Sequence, residues 1–195
     1  MALPAGLLAV ARAQTPTARI AAVVYAIGLT ALFGVSAAYH RGRWSAAARS
    51  RMKRLDHATI FVMIAGSYTP LCVVTLGGRL GLGILIGVWA GAGAGIVLAA
   101  GGIAQKRAIG LMAYIVLGWV IVVAMPALAR NLTTSELVLI LVGGGLYTLG
   151  GVVLGLRWPN PFPATFGFHE VWHVMVVAAA ACHYVAIVSV LSTAI

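Results

Sequence analysis

Carboxylates are nearly missing from this chain: among 195 residues only Asp56, Glu136 and Glu170 carry one, against thirteen Lys and Arg. Charged residues of both signs make up just 8% of the sequence, while 62% is apolar. Soluble domains have ~25% charged and ~45–50% apolar residues, so a water-soluble globule is excluded. No acid falls in the middle of an apolar run, which argues against a proton-coupled transporter. Cysteine is limited to Cys72 and Cys182. Both lie in apolar runs, read as small buried hydrophobes, and say nothing of redox compartment. The period of two that a membrane barrel requires is missing as well, which excludes strands from the apolar runs. A formal charge of +10 would suit nucleic acid. The bases cluster between apolar runs rather than along one helix or tail, so no nucleic-acid partner is expected.

What is present is a set of long uncharged stretches, at 20–39, 58–78, 80–104, 108–129, 137–156 and 171–195. Each is close to the ~20 residues that a spanning helix needs. The pattern predicts an all-α polytopic membrane bundle, one domain over 1–195, with spans at about 18–41, 56–77, 80–102, 108–129, 135–157 and 168–194. Almost no length remains for a soluble catalytic domain, so the function belongs in or at the bilayer. Residues 1–14 hold an apolar run broken by Pro4 and Arg12. It is too short to span and lacks the basic lead of a signal peptide, so it reads as a shortened first helix.

Orientation follows from the bases. Arg41, Arg43, Arg49, Arg51, Lys53, Arg54, Lys106, Arg107 and Arg157 fall on one side, nine in all, and Arg12, Arg19, Arg79 and Arg130 on the other, four. The richer side is predicted to be cytoplasmic, with the C-terminus outside. Gly83, Gly87, Gly91 and Gly95 recur every four residues, a stripe that lets another helix approach closely and through which a homo-oligomer is expected. Pro70 and Pro126 are expected to kink their helices. The 158–163 stretch, Trp-Pro-Asn-Pro-Phe-Pro, reads as a stiff non-helical connector.

Five histidines are present, and His40, His57, His169 and His173 fall at the predicted cytoplasmic ends with Asp56 and Glu170. Histidines were not used to assign the sides, so this convergence is independent support for a site. His169 and His173 in His-Glu-Val-Trp-His share one helical face, the spacing by which a helix offers two nitrogens to one metal. Ser36 and His40 repeat that spacing, and Asp56 is placed where the next span opens, at the positive end of a helix dipole. Three imidazoles leaving a fourth position for water match the catalytic zinc arrangement. Zinc lowers the pKa of its water toward ~7, Asp56 would orient or deprotonate that water, and Ser36 would donate to it or to an oxyanion. Glu170 points about 100° around the helix from His169, which places it behind the ligands or in a salt bridge with the basic loop. His57 reads as structural. His183 lies about 21 Å beyond His169 along the helix and cannot share its metal, and with no matching pair of histidines elsewhere a two-haem cytochrome is not expected.

Ser36-Ala-Ala-Tyr-His40, Leu55-Asp56-His57-Ala58 with 65–70 (Ala-Gly-Ser-Tyr-Thr-Pro), and Gly167 to His173 with Cys182-His183 resemble the hemolysin III proteins of bacteria. These are grouped with the adiponectin and progestin receptors and, more distantly, alkaline ceramidases. The resemblance implies a seven-helix bundle in a bacterial plasma membrane, with zinc near the cytoplasmic face. Carried over by position, it puts zinc on His40, His169 and His173, a water-holding carboxylate on Asp56 and the family's serine on Ser36. The departure is the short first helix. For activity, the resemblance implies zinc-dependent hydrolysis of a lipid amide or ester. The alternative it carries is a non-enzymatic cytolysin, channel or membrane-homeostasis protein with structural zinc. In either case a membrane lipid is the expected partner.

Overall fold

Thr15 and Pro16 start the first long helix: the Thr15 hydroxyl accepts the Ala18 N–H at 3.1 Å, and proline suits the first helical turn because its missing N–H has no partner there anyway. The computed structural model describes residues 1–194. Its helices are α1 (Ala2–Arg12), α2 (Pro16–Arg41), α3 (Ala46–Pro70), α4 (Gly78–Ala100), α5 (Arg107–Trp119), α6 (Met125–Asn131), α7 (Thr134–Leu156) and α8 (Phe168–Thr193). Six stretches are long and apolar enough to span a membrane, α3 continuing to Leu76 and α5 joining α6 as one. Among the described residues no strand forms, and a single bridge between Phe162 and Phe166 closes the expected non-helical connector.

The start of α3 corrects the sequence reading. Helix begins at Ala46, ten residues before Asp56, with the Ser45 hydroxyl accepting the Ala48 N–H. Residues 46–55 hold four bases and a serine but no glycine or proline, and alanine, arginine, lysine, methionine and leucine all favour helix. Here the helix outruns the apolar run. Asp56 therefore sits in a helix interior, and the dipole proposed for it at a helix N-terminus does not apply.

Both prolines break their helices as expected. After Pro70 the backbone widens into a π-turn, Leu71–Leu76, and the chain reverses through Gly77 and Gly78 at φ 58° and 53°, a left-handed pair that glycine alone adopts without strain. Before Pro126 the helix tightens to 3-10 geometry over Val120–Ala124, because the proline ring collides with the carbonyl four residues back. Tyr68 mends this second break from α3. Its hydroxyl donates to the Gly118 carbonyl at 2.6 Å and accepts the Ile121 N–H at 2.7 Å, so exposed backbone groups keep partners in a setting without water.

The glycine stripe of α4 is divided between two environments. A Cβ at Gly95 would strike the ring of Phe61 on α3, and one at Gly91 would lie 2.7 Å from Leu117 Cδ1, whereas Gly83 and Gly87 open on empty space. The inner half is a close-packed seam. Gly95→Ala is expected to lose about 1–3 kcal/mol of stability, since Phe61 is 1% exposed and has nowhere to move. Gly87→Ala should be neutral or gain up to ~1 kcal/mol. Thermal unfolding of the two variants in detergent checks the contrast.

The bundle closes through α8. It packs along α7, where Gly143 accommodates the His183 ring and Gly150 sits 3.2 Å, measured from its Cβ position, from Trp172 and Met175. It also meets the N-terminal segment: the Tyr184 hydroxyl donates to the Ala5 carbonyl of α1 at 3.0 Å, and the Gln14 N–H, just past α1, donates to the Leu191 carbonyl at 3.2 Å. The eleven-residue α1 is the short first helix expected from the sequence, and it lies against α2 with Gly6 beside Ala26. Ile86, Val97, Val116, Val123 and Leu149 all point outward, a surface suited to lipid tails rather than water.

Candidate metal centre

Three imidazoles meet at one end of the bundle. His40 stands in the last turn of α2, and His169 and His173 occupy the first two turns of α8. One ring nitrogen from each can be chosen so that all three lie within 4.8 Å of one another. The His169 and His173 rings stand edge-on at 89° with centroids 4.6 Å apart, and their Nε2 atoms are 3.1 Å apart. His40 approaches from the facing helix with its centroid 5.4 Å from His169 and 5.2 Å from His173. Trp172, whose role the sequence did not suggest, packs 4.6 Å from His173 and 5.5 Å from His169 and limits how either ring can turn.

Asp56 on α3 faces this cluster. Its carboxylate is turned toward Ser36, His40 and His169, with His57 beside it at 3.9 Å. The side chain is only 13% exposed, and among the described residues no Lys or Arg pairs with it. A shielded carboxylate with no cationic partner, next to convergent imidazole nitrogens, is a donor set that suits a cation. A tetrahedral ion holding nitrogens at ~2.0–2.1 Å separates them by about 3.4 Å, close to the observed pair. The residues present therefore fit zinc.

The remaining polar residues of this end have other partners. Glu170 is exposed, and its Oε2 accepts the Gly167 N–H at 2.8 Å. It caps its own helix, so neither placement expected from the sequence, behind the ligands or in a salt bridge to the basic loop, is what the side chain does. Asn160 completes that cap by accepting the Phe168 N–H at 3.1 Å. His57 donates from Nδ1 to the Lys53 carbonyl at 2.9 Å and stays out of the cluster, in keeping with a structural role. His183, ten residues beyond His173 and so about 15 Å along the axis, donates from Nε2 to the Ile140 carbonyl at 3.1 Å and packs on Tyr147. It lines a cavity of about 60 Å³ with Ser67 and Tyr68, apart from the three-histidine group.

Fold and site together define a multi-pass, all-α integral membrane protein in which two distant spans meet at three imidazoles. The family described as haemolysin-III related matches residues 1–184, and the chain belongs to that family. It is 31% identical over 185 residues to hemolysin-3 of Bacillus cereus, covering 93% of this chain and 81% of that protein. It is 32% identical over 131 residues to the hemolysin-3 homolog of Bacillus subtilis strain 168, covering 67% and 58% respectively. The human monocyte to macrophage differentiation factor is 28% identical over 176 residues, 87% of this chain and 69% of that protein.

Proposed function

We infer that this chain is a zinc-dependent hydrolase acting on an amide or ester bond of a membrane lipid at the cytoplasmic leaflet. The observation that carries the reading is the convergence of His40, His169 and His173 nitrogens within 4.8 Å beside a carboxylate with which, among the described residues, no Lys or Arg pairs. Those three side chains would hold the metal. Bound there, zinc would supply Lewis-acid chemistry and bring water toward a pKa near ~7.

The chain's own residues account for the rest. Three ligands from two helices would leave the ion a free position for a water or a carbonyl oxygen, with Asp56 and Ser36 as the neighbouring polar groups. Asp56 Oδ takes a proton from the water and returns it to the leaving group, the task a carboxylate performs when held close to the reacting atoms. Ser36 Oγ donates to the oxygen on which charge develops. His40 is exposed, so the site opens at the bundle surface, where a lipid can enter sideways. Nine bases against four support a cytoplasmic location for this end, with the C-terminus outside, in the plasma membrane of a bacterium. Gly83 and Gly87, on the open half of the stripe, are left for self-association.

A water-filled pore has less in its favour. Polar groups of α4, α5 and α7 that could line one are tied between neighbouring helices instead: Trp89 Nε1 donates to Thr69, the Tyr114 hydroxyl to the His57 carbonyl and Trp119 Nε1 to Thr148. The test is elemental analysis of the purified protein together with product analysis on mixed sphingolipids and phospholipids. About one zinc per chain and release of a fatty acid are expected. Zinc-loaded protein that releases no fatty acid from any of these lipids would overturn the hydrolase and leave zinc a structural part.

A further inference from the structure

Six bases, Arg41, Arg43, Arg49, Arg51, Lys53 and Arg54, crowd the α2–α3 connection and the first turns of α3, and all are exposed. Among the described residues no Lys or Arg forms an ion pair, since the single acid–base contact joins His57 to Asp56. Both acids at this end are committed, Asp56 to the histidine cluster and Glu170 to its helix cap. The connection also folds back toward the metal centre. Trp44 Nε1 donates to the Ala38 carbonyl at 3.1 Å, and the Arg49 guanidinium lies 5.7 Å from the Tyr39 ring centroid. The Tyr39 ring in turn is 4.7 Å from that of His40. One aromatic ring thus separates Arg49 from the cluster, while Arg41 and Arg43 follow His40 directly in the chain. Arg54 is used elsewhere, donating to the Ala100 carbonyl at 2.9 Å.

Cytoplasmic loops are generally basic, and lysine would serve that purpose as well as arginine. Five of the six bases are arginine, much as in the rest of the chain, and what sets this rim apart is that Arg49 folds over Tyr39 beside His40, bringing to the site a side chain whose planar fork grips two phosphate oxygens at once. Trp158 and Phe162, exposed on the connector that delivers α8 to the site, set the same end of the bundle at headgroup depth. We propose that this rim is a binding site for the phosphate headgroup of an anionic phospholipid, with Arg43 and Arg49 as principal contacts, so that the acyl linkage a few bonds away lies against the histidines. The inference rests on the hydrolase reading only in making that lipid the substrate. The headgroup site stands without it.

Native mass spectrometry of the full chain in detergent tests it, with phosphatidylglycerol and phosphatidylcholine of identical acyl chains as probes. Phosphatidylglycerol is expected to bind at least about tenfold tighter, and each arginine removed in Arg43→Gln and Arg49→Gln to cost about fivefold, the effect of one base at an anionic surface. Arg49→Lys keeps the charge and should recover part of the loss, which a merely misfolded variant would not. Equal binding of the two lipids, or an unchanged preference in the double glutamine variant, overturns the proposal. Displacement of phosphatidylglycerol by millimolar inorganic phosphate overturns it in favour of a free-phosphate site. Binding is read by mass without any turnover, so it is scored independently of the histidine cluster. Absence of lipid turnover in the parent would therefore remove the hydrolase alone, and loss of headgroup preference would remove this site alone.

Discussion

Replacing His169 with alanine is expected to remove zinc and lipid turnover together, with the helix bundle left standing. Loss of even an outer hydrogen-bond partner of a metal ligand typically costs about 10–100-fold in affinity, so loss of one of three direct ligands must cost more. Zinc measured after dialysis should fall from about one per chain to a small fraction. The fold should survive because His169 occupies the first turn of α8, while the residues that anchor the helix lie deeper: Ala179, Ala180, Ile187 and Leu191 are at most 3% exposed. Alanine also favours helix at that position. His57→Ala is the matched control, since that ring is engaged with the Lys53 carbonyl. It should keep both metal and turnover. A His169→Ala protein that retained either would break the proposed centre.

Asp56→Asn separates binding from chemistry. The amide has the shape of the carboxylate and can still accept a hydrogen bond, but it cannot take up a proton at neutral pH. Zinc content should be close to that of the parent, while turnover falls about 10²–10⁴-fold, the range for loss of a positioned acid–base group. Glu170→Gln makes the opposite point. A His-Glu-x-x-His helix of the zinc peptidase kind uses that glutamate as its base, yet here Glu170 is exposed and holds the Gly167 N–H. Turnover should persist in Glu170→Gln. If it collapsed there and survived in Asp56→Asn, the roles of the two carboxylates would have to be exchanged.

Spans and histidines were readable in advance for one physical reason: few charges are tolerated in lipid, so apolar runs and the exceptions to them both stand out. The four-residue spacings of Ser36 with His40 and His169 with His173 placed each pair on one helical face without any structure. The start of α3 was hidden because residues 46–55 favour helix through backbone propensity alone, with no apolar periodicity to mark it. The position of Glu170 was hidden for a different reason. Its angle around the helix says which way it leaves the axis, but the Gly167 N–H that captures it belongs to the turn before the helix. Tyr68 shows a third limit. The Ser67-Tyr68-Thr69-Pro70 motif is visible, and so is the proline that disturbs the other helix, but that Tyr68 reaches Gly118 and Ile121, 50 and 53 residues further along the chain, follows only from how the helices pack.

His40 is built from the first long segment to be made and His169 from the last, with four other spans inserted between them. A growing chain would have no place for the proposed zinc until α8 leaves the insertion machinery and docks against α2. Metal capture would then act as a late clasp, favouring the closed ring of helices over arrangements in which α8 lodges elsewhere.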